Sequence, residues 1–319
     1  MGEFDLIARY FKRPARHAVL GVGDDCALLA PTFGMQLALS TDMLVEGRHF
    51  LSTVNPVHLG HKALAVNLSD LAACGAQPRA FLLSLALPRV DESWLAGFSQ
   101  GLWSLADAYD CDLIGGDTTQ GPLNISITAI GETPRGQALL RSGAQVGDDI
   151  YVSGHLGDAR VALEVFRGSL SVPSSVFNAA RIRMEQPIPR VALGLALRGI
   201  ATAAADISDG LLGDLSHILK ASQVGATLDA TQALSLLACA TEFEFLPSQH
   251  LQFVLTGGDD YELVFTAPAC KRAEVHAAGF NTLTRLTRIG KICAEGGLTL
   301  LDTDGQPMTH DFVSFDHFA

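Results

Sequence analysis

The chain has 319 residues, with 22 Lys plus Arg against 34 Asp plus Glu, for a formal charge of −12. That acidity excludes the basic footprint needed to clamp nucleic acid. Hydrophobic residues at 48% and charged residues at 18% exclude disorder, and the apolar runs stop at strand length, far short of a membrane span.

The amino terminus, Met1-Gly2-Glu3-Phe4-Asp5, has no basic stretch followed by an apolar one, so no secretory signal is read there. Six cysteines form no CxxC element and no His cluster completes one, which points to reduced thiols in a cytoplasmic protein. The first strand is expected at Met35–Ser40, running into Thr41-Asp42. A helix follows over Pro56–Ala73, where Leu59, Ala63, Val66 and Leu71 recur at helical spacing. Phe81–Leu87 reads as an apolar strand stopped by Pro88, and Trp94–Tyr109 as an amphipathic helix. Asp112–Ile114 reads as a short strand entering Gly115-Gly116, and Asn124–Ile130 alternates like a half-buried strand.

Glycines and prolines thin the pattern between Arg135 and Asp148, so two domains are expected, 1–140 and a larger 141–319. The second restarts with a strand at Ile150–Val152 and a helix to Phe166. Helices are expected over Ser175–Glu185, Pro189–Arg198 and Gly210–Ala221. Strands are expected at Ala226–Leu228, Glu262–Thr266 and Leu298–Leu301. Alternation of strands and helices throughout makes the fold class α/β, or α+β.

One theme recurs: a short apolar run, one or two small residues, then aspartate. It appears at Gly23-Asp24-Asp25, Ser40-Thr41-Asp42, Ser69-Asp70, Gly115-Gly116-Asp117, Asp206-Ile207-Ser208-Asp209-Gly210 and Gly257-Gly258-Asp259-Asp260. Each instance alone reads as a helix cap or a turn. Six together, flanked by glycine, suit a site where carboxylates hold hard cations and backbone amides approach phosphate oxygens. Phosphates beside several carboxylates repel by about 1 to 4 kcal/mol per unit pair near 4 Å, so bound metal ions are expected. The usual nucleotide signatures are missing: there is no GxxxxGK[ST], no GxGxxG after a first strand and no HRD loop.

In their order, Gly2-Glu3-Phe4-Asp5-Leu6-Ile7, Gly23-Asp24-Asp25-Cys26-Ala27, Ser40-Thr41-Asp42, Lys62 through Ala73, Ile114-Gly115-Gly116-Asp117-Thr118, Asp206-Ile207-Ser208-Asp209-Gly210-Leu211 and the tail Phe315-Asp316-His317-Phe318 resemble the thiamine-monophosphate kinase family. The resemblance implies the aminoimidazole ribonucleotide synthetase-like two-domain fold, its amino-terminal sheet pairing across a homodimer. It implies transfer of a phosphoryl group from ATP to thiamine monophosphate, with several Mg²⁺ ions and room for K⁺. Asp25, Thr41, Asp42, Asp70, Asp117, Asp206 and Asp209 would hold the metals, assisted by Ser40. Gly116, Asp117, Arg141 and Ser208 would lie along the ATP phosphates, and His49, Asp259 and Phe315 would contact the substrate. Tyr109, just upstream of the Gly-Gly-Asp segment, is a candidate for the adenine pocket or an ordinary helix-face aromatic.

Two positions depart from the family pattern, Asp259 where it carries Glu and Phe315 where it carries Tyr or Trp. Because the acceptor is already an anionic phosphate, no general base is expected. Two alternatives stay open at this point: another ATP-dependent enzyme of the same superfamily, or a non-catalytic nucleotide or thiamine-phosphate binding protein. Against the first, the chain lacks the reactive amino-terminal Cys of selenophosphate synthetases and the terminal Cys of the hydrogenase maturation protein. Against the second, every metal-site position is filled.

Overall fold

A computed structural model describes residues 2–308, so the expectation placed on Phe315 lies outside the described residues. The chain divides into two compact units. One runs through Leu71 and resumes over Ala76–Gly136; the other takes Ala72–Gly75 and the chain from Gln137 onward.

In the first unit, α1 (Glu3–Leu6) continues as a π turn over Ile7–Phe11 and buries Leu6, Tyr10 and Phe11. Then come β1 (Met35–Val45), α2 (Pro56–Ala73), β2 (Gln77–Leu87), α3 (Glu92–Ala108), β3 (Asp112–Gln120) and β4 (Asn124–Pro134). The strands form one sheet in the order β1-β4-β2-β3, antiparallel except for the β2–β3 pair. Asp91 caps α3, accepting from the amides of Ser93 and Trp94 at 3.0 and 3.1 Å. Helices α2 and α3 cross at backbone contact: a Cβ on Gly60 would stand 2.0 Å from Phe98 O, and one on Gly101 1.8 Å from Val57 O.

The segment between α1 and β1 is fastened by two buried carboxylates. Asp112, at the start of β3, accepts from the amides of Arg16 and His17, the latter at 2.7 Å, and from Arg16 Nε at 2.9 Å. Glu132, on β4, accepts from Thr32 N at 2.7 Å, Thr32 Oγ1 at 2.8 Å and Arg79 Nε at 3.0 Å. The stretch carrying Asp24 and Asp25 is therefore held against the sheet at both ends.

The second unit contains β5 (Asp149–Ser153), α4 (Asp158–Phe166), α5 (Ser174–Glu185), α6 (Val191–Ala196), β6 (Ala203–Ile207), α7 (Leu211–Ser222), β7 (Gly225–Asp229), α8 (Ala230–Leu234), α9 (Pro247–Thr256), β8 (Glu262–Ala267), α10 (Arg272–Asn281), β9 (Leu286–Cys293) and β10 (Gly297–Leu301). Its six-stranded sheet has the order β10-β7-β9-β5-β8-β6, with only β10–β7 parallel. Ile150, Val152, Leu228, Val264 and Ile289 pack on one face into a core with Leu215 and Ile218 of α7 and Val254 of α9.

The structure departs from the expected elements in a way that bears on function. Asp42 and Asp117 lie inside strands rather than at strand ends, because β1 runs on to Val45 and β3 to Gln120. Strand β3 continues past the two glycines through a bulge: Phe81 pairs with Leu113 but Leu82 with Gly115. Gly116 is required there, at φ 144° with a would-be Cβ 1.8 Å from Leu83 O. Among the described residues no helix is long and apolar enough to cross a membrane.

Candidate active site

The first acidic group stands where β1 meets α2. Ser40 Oγ donates to Asp70 Oδ2, and Asn67 Oδ1 accepts from Asp42 N at 3.1 Å while its Nδ2 donates to Ala63 O at 3.1 Å. Asn67 is buried, so it is a fixed bracket between helix and strand. Ser126 Oγ on β4 donates to Asp42 O at 3.1 Å.

Strand alternation puts Thr41 on the other face, where its Oγ1 lies 2.7 Å from Thr128 Oγ1. The Thr41 hydroxyl therefore does not join Ser40 and Asp70. Asp117 pairs in register with Ser84, and Ser84 with Ser126, so it belongs to a polar row across the sheet. Asp25 is exposed, its amide donating to Asp24 Oδ1 at 2.9 Å.

His49 sits in the tight turn after β1. Its Nδ1 accepts from Val45 N at 3.0 Å, which leaves the proton of the neutral ring on Nε2. Tyr109 is the C-cap of α3, its amide bonded to Leu105 O.

The second acidic group belongs to the other unit. Asp206 is buried near the end of β6, and the turn after it carries Ser208 and Asp209. Asp214, in the first turn of α7, reaches back to accept from the amides of Ser208 and Asp209 at 3.0 and 3.1 Å. Burial pushes the Asp214 carboxyl up to about 7; the Asp209 charge adds to the rise, while the two amides and Arg141 oppose it. Arg141 lies beside the outer edge of β6, where Ala204 N donates to Leu140 O at 2.9 Å.

The loop before β8 closes on this turn. Asp259 N donates to Ser208 O at 2.8 Å and Tyr261 N to Ile207 O at 2.9 Å. Both residues are left-handed, at φ 73° and 53°, an uncommon state for non-glycine residues. Asp260 Oδ2 accepts from Gly157 N at 2.9 Å. Burial raises this carboxyl well above its ordinary value, and the charges of Asp158, Glu262 and Asp259 raise it further against that one amide. Glu262 is buried behind them, accepting from Ser153 Oγ and from both arms of Arg190.

Among the described residues, no three His, Cys, Asp or Glu side chains gather closely enough to form a ready-made metal cage. The donors of both groups are carboxylates and hydroxyls, the hard oxygen ligands that Mg²⁺ takes. Such an ion is commonly held by one or two carboxylates, with water and substrate phosphate completing its shell. The donor set fits that description. Sequence reasoning missed Ser126, Thr128, Asp214, Asp260 and Glu262 as parts of this framework. Asn67 is legible as the i−3 neighbour of Asp70 on the same helix face, and Asp260 stands inside Gly257-Gly258-Asp259-Asp260.

The AIR synthase related protein family matches in two parts, its N-terminal domain over residues 23–133 and its C-terminal domain over 145–302. A thiamine-monophosphate kinase from Escherichia coli O157:H7 is 46% identical over 323 residues, covering 100% of this chain and 98% of that protein. The crystal structure of a thiamine-monophosphate kinase from Stenotrophomonas maltophilia K279a superposes with a TM-score of 0.84 at 44% identity over 96% of each chain. AaThiL complexed with AMPPCP and TMP gives a TM-score of 0.76 at 30% identity, covering 91% of this chain and 89% of that one. A 46% identity that runs the whole length of both sequences, on the same two-domain α/β fold, leaves one conclusion: the chain belongs to the thiamine-monophosphate kinase family.

Proposed function

We propose that this chain transfers the γ-phosphoryl group of ATP to thiamine monophosphate, giving ADP and thiamine diphosphate. The observation that carries the reading is the pair of oxygen-only, aspartate-rich donor sets within a chain similar end to end to named kinases. The relative complexed with AMPPCP, a methylene-bridged ATP analogue, and TMP supports both co-substrates.

Asp25, Thr41, Asp42, Asp70, Asp117, Asp206 and Asp209 would hold several Mg²⁺ ions, with Ser40 orienting Asp70 and Thr41 offering its backbone carbonyl. When bound, Mg²⁺ neutralises phosphate charge and aligns donor with acceptor. Gly116, Asp117, Arg141 and Ser208 would lie along the ATP phosphates, and Tyr109 would border the adenine. His49, with its proton on Nε2, donates toward the substrate, and Asp259 contacts it from the left-handed loop. No general base is needed because the acceptor phosphate is anionic at neutral pH. Positioning and charge neutralisation supply the catalysis, in one in-line displacement without a phosphoenzyme. The reading leaves room for K⁺ beside Mg²⁺.

Residues 1–140 would serve ATP, metal and dimer contacts, and 141–319 the carboxy-terminal half of the site, in a cytoplasmic homodimer. The exposed apolar stripe of Leu37, Leu39 and Met43 on edge strand β1 supports the pairing. The test is chromatographic separation of thiamine phosphates after incubation with ATP, Mg²⁺ and thiamine monophosphate. Thiamine diphosphate should form only with Mg²⁺, and Asp117→Asn should lower kcat by about 10²-fold or more. Magnesium-independent product, or a mutant of full activity, would sink the reading.

A further inference from the structure

The six-stranded sheet has a second face, opposite the core, and its β10-β7-β9 half carries a cavity of about 540 Å³. A bulge in β9 shapes its charge. Ile150 pairs with Gly290, but Tyr151 pairs with Arg288, so Ile289 is the extra residue. Asp149 and Tyr151, two apart on β5, point the same way. Their partners Lys291 and Arg288 therefore share that face although they are three apart in sequence. Thr227 opposes Lys291 from β7 and Asp229 follows it on the same side. Arg285, Ser235 and Gln232 complete the far end of the lining.

The anions nearby are already engaged. Asp149, fully buried, takes Arg272 through both oxygens at 2.6 and 2.9 Å, and Arg288 Nη1 forms only a looser ion pair with it at 3.6 Å, beyond hydrogen-bonding distance. Asp229 caps α8, accepting from Thr231 N and Gln232 N at 2.8 and 3.1 Å. Among the described residues the Arg285 guanidinium bonds to neutral acceptors and no carboxylate, His155 Nε2 at 3.0 Å and Ser235 Oγ at 3.2 Å. Lys291 is exposed, and among the described residues its side chain makes no hydrogen bond and no close ion pair, its charge reaching Asp149 only at longer range. In a chain of charge −12, this is a concave, net-cationic surface of ligand size. No residue of the acidic donor sets lines it.

We propose that this cavity binds a phosphate- or diphosphate-bearing small molecule, its anion held between Arg288 and Lys291 and its polar body lying along Gln232, Ser235 and Arg285. The catalytic carboxylates repel phosphate without metal, whereas this cavity does not, so metal-free conditions separate the two. Titration calorimetry of the full chain with inorganic diphosphate in EDTA should show one site per chain. Lys291→Gln should weaken it about tenfold or more, and Arg285→Gln should weaken it as well; Asp117→Asn should leave it unchanged. No binding in EDTA, wild-type affinity in both cationic variants, or loss of binding in Asp117→Asn would each overturn the proposal. None of these outcomes bears on whether thiamine diphosphate is formed.

Discussion

Ser40 and Thr41 are adjacent hydroxyls with opposite fates, because a strand turns successive side chains to opposite faces. Ser40 Oγ donates to Asp70, whereas Thr41 Oγ1 pairs with Thr128 across the sheet. If Asp70 holds Mg²⁺ as proposed, the hydroxyl that orients it is worth about 10- to 100-fold in metal affinity or activity. Ser40→Ala should therefore raise the Mg²⁺ concentration needed for half-maximal activity by at least tenfold, while Thr41→Val changes it by less than about threefold. Magnesium titrations of initial rate decide this, and equal effects at both positions would contradict the assignment of faces. The same scale explains the substitution at 259. A left-handed backbone at φ 73° is met more readily by Asp than by longer side chains, so the shorter carboxylate suits the loop that docks on Ser208.

At the scale of elements, the segment bearing Asp24 and Asp25 depends on two carboxylates from distant strands. Burial pushes Asp112 up, but the His17 amide and the side chain, amide and charge of Arg16 outweigh it and hold the carboxyl below its ordinary value. Glu132 behaves alike: burial is outweighed by the Thr32 amide and hydroxyl and by Arg79. Depressed folded-state values mean these pins contribute fully above the unfolded range of about pH 4. Their contribution is lost as pH falls through the folded values, where the folded state binds fewer protons than the unfolded one. Glu132→Gln should cost about 2 kcal/mol at pH 7 and flatten the acid limb of the urea midpoint against pH. An acid limb as steep as wild type would mean Glu132 is not a pin. Such links escape sequence reading because Thr32 and Glu132 stand 100 residues apart. The long periodic elements, α2 and α3, were legible. Strand β6 was not, since Ala203-Ala204-Ala205 lacks the branched residues that mark strands, and in β9 the bulge and its cations break the alternation. The aspartate theme drew attention to residues of both donor sets, but it read Asp42 and Asp117 as strand-end residues: β1 runs on past Asp42 to Val45, and before Asp117 a glycine bulge looks like a strand end.

For the whole molecule, charge and apolar surface pull against each other. Each chain carries −12, so two chains repel at long range, with that repulsion screened beyond about 8 Å at physiological ionic strength. Strand β1 nevertheless leaves Leu37, Leu39 and Met43 exposed at 40%, 64% and 54% on one face, with Thr41 among them and no charged side chain in the stripe. A long edge strand with that surface is a liability unless a partner covers it. If a second copy does, association is driven by apolar burial and opposed by net charge. Raising salt from about 10 to 150 mM, over which the screening length falls from about 30 to 8 Å, should then tighten the dimer. An interface held by ion pairs would loosen over the same range. Sedimentation velocity at micromolar concentration should show a dimer for wild type and a monomer for Leu39→Glu, whose carboxylate would be buried without a partner in the paired state. A wild-type monomer at every salt concentration, or a dimer that survives Leu39→Glu, would place the contact elsewhere and leave the stripe without a role.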